Sequence, residues 1–315
     1  SEMCIRDRVG TIMMPKMIEA GYPKPFVIVL AASAALLEAL IPPSNAAILY
    51  SALTYVPVSQ TFAAGVIPGL ILLLFMIILV LFKCRNVQRY KPATNYEKLV
   101  LGIKAFPALL TPLIILGGIY GGFLTPSESA AVSGIWAIFM GFAIYRELKI
   151  KSLLQSVKDT AITTAVIFSI IAMATFLSKV FTYTQFPQFI IKSITEMGVG
   201  LNFFWFAMAL ICLILGTFIE IVPVFYLTIP IFTAIILSFD QSLIHLYVVF
   251  VDFAGIGMIT PPVCVGIYTS ASVIKENPGK AFKEVPLFTA VGILYGIIMI
   301  LFPSLSTWLP AYLSG

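Results

Sequence analysis

Long apolar runs separated by short charged stretches constrain the fold of this chain more than any other feature. A helix that crosses a bilayer needs about 20 mostly apolar residues, because the hydrocarbon layer is about 30 Å thick. Runs at or near that length are Phe62–Phe82, Ile103–Tyr120, Ala130–Tyr145, Ala161–Phe181 and Pro286–Leu305. A water-soluble core cannot bury so many apolar runs, so the sequence predicts an all-α polytopic membrane protein.

Composition supports a membrane protein and argues against other classes. Hydrophobic residues make up 60% of the 315 residues and charged residues only 10%, whereas a soluble domain carries about 25% charged residues. Aromatic residues lie inside the apolar runs and not along a basic face, so nucleic-acid binding is not expected. The four cysteines form no CxxC pair, and His245 is the only histidine. Since HExxH, GxSxG and similar motifs are also missing, no catalytic residue is predicted and the chain is not expected to be an enzyme.

Positive charges predict the orientation of the spans. Lysine and arginine gather in Lys83–Lys104, Arg146–Lys158 and Lys275–Lys283, whereas loops such as Val56–Thr61 and Gly121–Thr125 are uncharged. Loops rich in lysine and arginine stay in the cytoplasm. Successive spans are therefore expected to run alternately inward and outward.

Two short segments resemble each other and are predicted to run in opposite directions. Pro42–Ala52 reads PPSNAAILYSA and Pro261–Ala271 reads PPVCVGIYTSA, so the Pro–Pro pair, an isoleucine and the final Ser–Ala match. The first segment leads to an uncharged loop and the second to a basic loop, so positive-inside sorting orients them oppositely. Similar segments of opposite orientation are typical of inverted-repeat secondary transporters.

The Pro–Pro pairs predict two broken helices, because proline lacks an N–H group and its ring clashes with the preceding turn. Carbonyl groups freed by such a break are tolerated in a membrane where they line a polar cavity, and there they can bind a cation. The N-terminal ends of the half-helices suit a carboxylate. A lone proline kink is often only structural, but paired breaks in an inverted repeat, each with an acidic residue nearby, favour a binding site.

A re-entrant hairpin is predicted upstream of the second break. Two short apolar arms, Asn202–Gly216 and Ile221–Leu237, flank the polar tip Gly216–Glu220. A carboxylate in such a tip is costly in a membrane unless it is paired or faces water, so Glu220 is expected beside the binding cavity. The matching hairpin of the first repeat is mostly missing, and only its second arm, Gly10–Met17, is expected to remain.

The candidate sodium- and substrate-binding residues lie around the first break, in the hairpin tip, and in the glycine-rich stretch that leads into the second break. They are Ser33, Glu38, Pro42, Pro43, Ser44, Asn45, Gly216, Thr217, Glu220, Gly255, Gly257, Thr260, Pro261 and Pro262. Of these, Gly216, Gly257 and Thr260 are expected to bind Na⁺, because glycine lets the backbone approach closely and oxygen atoms suit a hard cation. No cofactor is predicted other than Na⁺ as the coupling ion.

Specific motifs are spread over nearly the whole chain after Val9. They are Gly10–Pro25, Ile41–Ser44, Ala64–Gly69, Pro107–Val132, Gly216–Pro230 and Gly255–Val263. The most specific is GGIYGGFLTPSESAAV, within Pro107–Val132. These stretches resemble the large membrane subunit of the TRAP (tripartite ATP-independent periplasmic) transporters, and the resemblance implies a DctM-like, N-terminally truncated member of that family.

The resemblance implies an inverted-repeat, elevator-type fold with re-entrant hairpins and broken helices. Residues 1–9 would be a leader that need not be native, and residues 10–83 the first half of the transport domain, with its first hairpin mostly missing. Residues 84–197 would hold the scaffold helices and interfacial arm helices. Residues 198–315 would form the second half of the transport domain, with a re-entrant hairpin.

The resemblance also implies a function and partners. The chain would be the large permease subunit of a Na⁺-coupled, binding-protein-dependent symporter that imports an organic acid, such as a C4-dicarboxylate, across the bacterial inner membrane. Its partners would be a small four-helix (DctQ-like) membrane subunit, a periplasmic substrate-binding protein, the organic acid substrate and membrane lipid, but no nucleic acid. The alternative is a single-component Na⁺/dicarboxylate symporter of the related inverted-repeat superfamily. Ala34–Ala39 replaces the usual Ser/Thr/Gly-rich stretch before the first break, which leaves the first sodium site and the substrate class open.

Overall fold

The computed structural model describes residues 2–85, 87, 94–186, 188–189, 192 and 200–314. The α-helices in this part of the chain are α1 (Glu2–Glu19), α2 (Lys24–Leu40), α3 (Asn45–Thr54), α4 (Val58–Lys83), α5 (Asn95–Tyr120), α6 (Pro126–Phe139), α7 (Ile150–Tyr183), α8 (Leu201–Phe218), α9 (Ile221–Ser238), α10 (Leu243–Ile259), α11 (Val265–Val273), α12 (Val285–Leu301) and α13 (Ser304–Ser314). A π-helical turn (Met140–Ile144) extends α6, and a 3₁₀ helix (Pro278–Lys283) precedes α12. The described residues form no β-strand, and the predicted all-α class is confirmed.

Several helices are long and apolar enough to cross a bilayer. Among the described residues these are Val58–Lys83, Lys98–Tyr120, Pro126–Ile144, Ile150–Phe181, Leu201–Phe218 and Ile221–Ser238. Two bent pairs each qualify as one further span: α2 with α3, bent by 46°, and α12 with α13, bent by 58°. The predicted polytopic membrane protein is therefore confirmed.

One predicted span is broken. The apolar run Pro286–Leu305 is predicted as a candidate span, and within it α12 ends at Leu301 and α13 begins at Ser304. Pro303 lies between them. It cannot donate a hydrogen bond, and it disfavours a helical conformation in the residue before it, so the chain bends although the apolar run continues.

The basic stretches between the spans are partly helical. Lys98 lies in α5, and Lys151 and Lys158 lie in α7. Both helices extend beyond their apolar parts, because a helix needs no apolar side chains where it is exposed to water. Arg89 and Lys91 of the first basic stretch lie outside the described residues.

The chain forms two compact units. One consists of residues 1–88 and 171–315, and the other of residues 89–170. The two predicted halves of the transport domain fall in the first unit. The predicted scaffold segment, 84–197, is divided between the two units, and its end at 197 lies outside the described residues.

In the smaller unit, the most specific motif of the sequence forms a turn between α5 and α6. Gly122 turns the chain with a φ of 69°. Thr125 then begins α6 with a capping box, in which Glu128 N–H donates to the Thr125 hydroxyl at 3.3 Å and Thr125 N–H donates to Glu128 Oε2 at 2.7 Å. The two helices pack together, with Trp136 Nε1 donating to the Pro107 carbonyl oxygen at 3.0 Å. The glycine and the capping box therefore have a local structural explanation.

In the larger unit, the two broken helices pack along each other in opposite directions. Both Pro–Pro bonds, 42–43 and 261–262, are cis. Followed along the chain, the contacts join Lys24 to Glu276, Leu36 to Gly255, Ala39 to Tyr247 and Tyr50 to Leu243. In these pairs the residue number in α2–α3 rises as the number of its partner falls, so α2–α3 runs antiparallel to α10–α11. This geometry agrees with the opposite orientation that the charge pattern predicts for the two segments.

An ion-paired glutamate joins the start of α2 to the end of α11. Glu276 follows α11 and pairs with Lys24 of α2 at 3.1 Å and with Lys280 at 2.9 Å. Hydrogen bonds from Lys280 and Lys24, and one from the backbone N–H of Asn277, lower the pKa of Glu276 to about 2. The carboxylate therefore stays ionised at neutral pH and holds the two antiparallel elements together at this end.

Candidate functional site

The predicted hairpin is formed by α8 and α9, which meet at Ile219 and Glu220. Each arm has 18 residues, and α8 is longer than its predicted arm because it continues through Thr217 and Phe218. Ile219 has an extended backbone and ends α8, and Glu220 is the N-cap of α9. The side chain of Glu220 is half-buried and makes no capping hydrogen bond. A carboxylate there is nevertheless stabilised by the positive end of the α9 dipole.

Two predicted site glycines bring α8 and α10 into backbone contact. A methyl group on Gly216 would overlap the Ala254 carbonyl oxygen. A methyl group on Gly257 would lie 2.6 Å from the Leu213 carbonyl oxygen and 2.8 Å from Gly216 Cα. A side chain at either position would push the helices apart, so glycine is required at this crossing. The structure therefore brings Gly216 of the hairpin together with Gly257 of the second broken helix.

The second break follows this contact within three residues. Thr260 ends α10 with φ −91° and ψ 134°, and Cys264 begins α11 in the left-handed region with φ 53° and ψ 53°. Pro261 and Pro262 between them are exposed. The start of α11 has no side-chain cap, so its first N–H groups are available to an anion. The Thr260 hydroxyl donates to the Ile256 carbonyl oxygen at 2.7 Å and keeps its lone pairs for a further contact.

The first break is closed by its own serine. Ser44 is the N-cap of α3, where its hydroxyl accepts from Ala47 N–H at 3.3 Å and donates to the Ala39 carbonyl oxygen at 2.6 Å. Ser44 is buried, whereas Pro43 and Asn45 beside it are exposed. The two breaks therefore match in position but differ in chemistry, because only the second leaves its N-terminal N–H groups uncapped.

The other predicted site residues have varied surroundings. Glu38 and Pro42 are half-buried near the first break. Ser33 is fully buried, and its hydroxyl has no hydrogen-bond partner within the described part of the chain. The Thr217 hydroxyl donates to the Ile214 carbonyl oxygen of its own helix at 2.8 Å. Gly255 packs against the Leu36 side chain, so it serves helix packing between the repeats.

Sequence reasoning missed two tyrosines and a threonine near the breaks. Tyr247 donates to the Ala39 carbonyl oxygen, one turn before the first break, and Tyr50 donates to the Leu243 carbonyl oxygen at 2.6 Å. Their rings lie 5.2 Å apart. The Thr289 hydroxyl lies 3.5 Å from that of Thr260. A tyrosine in an apolar helix signals a buried hydrogen bond, but its partner is far away in the sequence.

The fold and the site define a polytopic membrane permease with two antiparallel broken helices and a hairpin packed against one of them. The model of the family described as the tripartite ATP-independent periplasmic transporter, DctM component, matches residues 7–305, and the chain belongs to this family.

Relatives support the same assignment. The chain is 34% identical to the C4-dicarboxylate TRAP transporter large permease protein DctM of Vibrio cholerae, over 98% of this chain and 73% of the relative. It is 31% identical to the protein of the same description in Pseudomonas aeruginosa, over 97% and 72%. It is 28% identical to the ectoine TRAP transporter large permease protein TeaC of Halomonas elongata, over 96% and 71%.

Proposed function

We propose that the chain is the permease subunit of a Na⁺-coupled, binding-protein-dependent symporter that imports a C4-dicarboxylate across the bacterial inner membrane. The observation that carries this proposal is the backbone contact of α8 with α10 at Gly216 and Gly257, directly before the break at Thr260.

The ends of α8 and α10 support a cation site. The two helices end at Phe218 and Ile259, each two residues after its contact glycine. The last carbonyl groups of a helix have no partner within it, and they carry the negative end of the helix dipole. Two such ends side by side, with the Thr260 hydroxyl next to them, offer the uncharged oxygen ligands that suit a monovalent hard cation.

The start of α11 supports a carboxylate site. Its N–H groups have no side-chain cap, whereas Ser44 caps α3 and Glu220 places a negative charge at the start of α9. An uncapped helix N-terminus binds anions through its N–H groups and its dipole. The second break is therefore the better position for a substrate carboxylate, and a cation bound beside it would offset the negative charge.

The names of the relatives support this substrate class. Two permeases named for C4-dicarboxylates share 31% and 34% identity with this chain, whereas the permease named for ectoine shares 28%. The higher identities favour a substrate with two carboxyl groups.

The family description, which is tripartite, supports the proposed partners. They are a small four-helix membrane subunit and a periplasmic substrate-binding protein that delivers the acid. With the basic loops in the cytoplasm, the binding protein docks on the opposite face of the membrane.

Thermal unfolding of the full-length permease with its small subunit tests the cation site, because a ligand that binds only the folded state raises the Tm. We expect a higher Tm in NaCl than in equimolar choline chloride. Gly257→Ala should lose this difference. Gly134→Ala is the matched control, because its added methyl group meets no atom within 4 Å, and it should keep the difference. Equal Tm values in the two salts would count against the site.

Uptake into proteoliposomes tests the substrate and the binding protein. We expect radiolabelled C4-dicarboxylate to accumulate only when the binding protein is present, and ectoine not to accumulate. Uptake that is equally fast without the binding protein would favour a single-component symporter. Preferential uptake of ectoine would reject the substrate class but not the cation site.

A further inference from the structure

A buried carboxyl group lies in α10, two turns before the second break. Asp252 is 0% exposed. Neither of its carboxylate oxygens has a hydrogen-bond partner within the described part of the chain. The cation site proposed above uses the C-terminal end of α10 and not this side chain, so Asp252 requires a separate explanation.

The carboxyl group lies in the contact between α10 and α12. Gly292 and Gly296 of α12 are four residues apart, so they share one helix face, and small residues let membrane helices approach closely. A methyl group on Gly296 would overlap Asp252 Oδ2, and one on Gly292 would lie 2.7 Å from the Ile256 side chain. Asp252 is therefore packed directly against the backbone of α12.

A second buried polar group without a described hydrogen-bond partner lies beside Gly296 in the sequence of α12. Tyr295 precedes Gly296, is 0% exposed, and its phenol has no hydrogen-bond partner among the described residues. The helices α10 and α12 therefore each carry a buried polar side chain that has no hydrogen-bond partner among the described residues.

The described helices around Asp252 offer it no fixed positive charge. The titratable or charged groups on the described helices packed against α10 are Lys24 and Glu38 in α2, Tyr50 in α3, Lys83 in α4, Cys212 in α8, Tyr226 in α9, Tyr268 in α11, Tyr295 in α12 and Tyr312 in α13, and α10 itself adds His245 and Tyr247. Lys24 pairs with Glu276 and Lys83 pairs with Glu284. His245 Nδ1 lies 2.9 Å from the Ser306 hydroxyl.

An ionised carboxylate without a partner is strongly disfavoured inside a protein, and such a group takes up a proton instead. A bound metal cation is the other way to compensate the charge, but hard cations take several oxygen ligands. No described oxygen or nitrogen atom forms a hydrogen bond with either Asp252 carboxylate oxygen, and besides Asp252 Oδ2 the atoms nearest to a methyl group on Gly296 would be ring carbons of Phe253. A proton therefore fits this position better than a sodium ion.

We propose that Asp252 is a proton-binding site of the permease and that its neutral carboxylic acid keeps α10 packed on α12. The proton comes from water and forms an O–H bond with a carboxylate oxygen, and it returns to water when the contact opens. Because α10 also carries Gly257 and Thr260, loss of this proton would displace the helix that ends at the second break. The proposal does not depend on sodium coupling.

Infrared spectroscopy of the full-length permease with its small subunit tests the proposal directly. The wild-type protein at neutral pH is expected to show the carbonyl band of a protonated carboxylic acid, and Asp252→Asn should lack it. Tyr295→Phe is the matched control, because it removes the neighbouring phenol but keeps the acid, and it should retain the band. Identical spectra for wild type and Asp252→Asn would overturn the proposal.

The pH dependence of unfolding gives a second readout. An aspartic acid in water is ionised above a pH of about 4, so a proton held only in the folded state makes the folding equilibrium constant fall up to about tenfold per pH unit through neutral pH. Asp252→Asn and Asp252→Leu should both lose this slope, whereas any contribution of His245 persists in all three proteins. The proposal fails if wild type and both variants share one pH profile. It also fails if neither neutral variant assembles, or if Asp252→Asn abolishes the Na⁺-dependent rise in Tm while the infrared band persists.

Discussion

Replacing Gly257 with alanine tests whether the contact between α8 and α10 builds a sodium site. The added methyl group would lie 2.6 Å from the Leu213 carbonyl oxygen, and ordinary contact begins at 3.4 Å, so the helices must separate by 0.8 Å at this point. Overpacking of this kind typically costs about 1–3 kcal/mol. Binding geometry tolerates displacements of only about 0.5 Å, so the ligands at the helix ends would be misplaced.

The size of the effect follows from this cost. If about 1.4 kcal/mol of it appears as weaker sodium binding, the apparent Na⁺ affinity falls about tenfold. The assay is the initial rate of substrate uptake into proteoliposomes as a function of Na⁺ concentration, with the full-length permease and its partners. Gly134→Ala should give the wild-type curve, because its methyl group enters open space. A wild-type Na⁺ curve for a folded Gly257→Ala protein would refute the argument.

Three further predictions concern charge and topology. The substitution Glu276→Gln should lower the Tm in low salt, because it removes the ion pairs between the broken helices. The pKa of Glu276 is about 2 in the folded protein and about 4.5 in the unfolded chain. The stabilisation by these ion pairs should therefore be present above pH 4.5 and disappear as the pH falls towards 2. A Glu276→Gln Tm equal to wild type at pH 7 would show that these pairs are not stabilising. Glu220→Gln and Glu38→Gln should each reduce the apparent Na⁺ affinity without preventing membrane insertion, and wild-type uptake curves for both would argue against their place beside the site. Cysteines introduced at Ser59 and Ser238, in a background without native cysteines, should react with an impermeant reagent from the same, non-cytoplasmic side; labelling from opposite sides would exclude the predicted orientation.

Local features of the fold could be predicted from the sequence. The apolar run Phe62–Phe82 lies within α4, and both Pro–Pro pairs lie at helix breaks, because hydropathy and the missing proline N–H act within a few residues. Hydropathy did not predict the bend at Pro303, where the apolar run continues but the helix does not. At this position the proline, and not the hydropathy, determines where the helix ends.

Contacts between distant segments could not be predicted. Gly257 is recognisable as part of a glycine-rich stretch, but its contact with Leu213 and Gly216 depends on how α8 crosses α10. Gly255 lies only two residues before Gly257, but it packs against Leu36 instead. Spacing along the chain shows which residues share a helix face, but it does not show which partner that face meets.

Sodium-driven uptake tests the central claim most directly. Proteoliposomes that contain the full-length permease and its small subunit are supplied with the binding protein and a radiolabelled C4-dicarboxylate. We expect accumulation when an inward Na⁺ gradient is imposed and none when choline replaces Na⁺ and only a proton gradient is present. Unchanged accumulation in choline would contradict the proposal that the second break and the hairpin tip bind the coupling sodium ion.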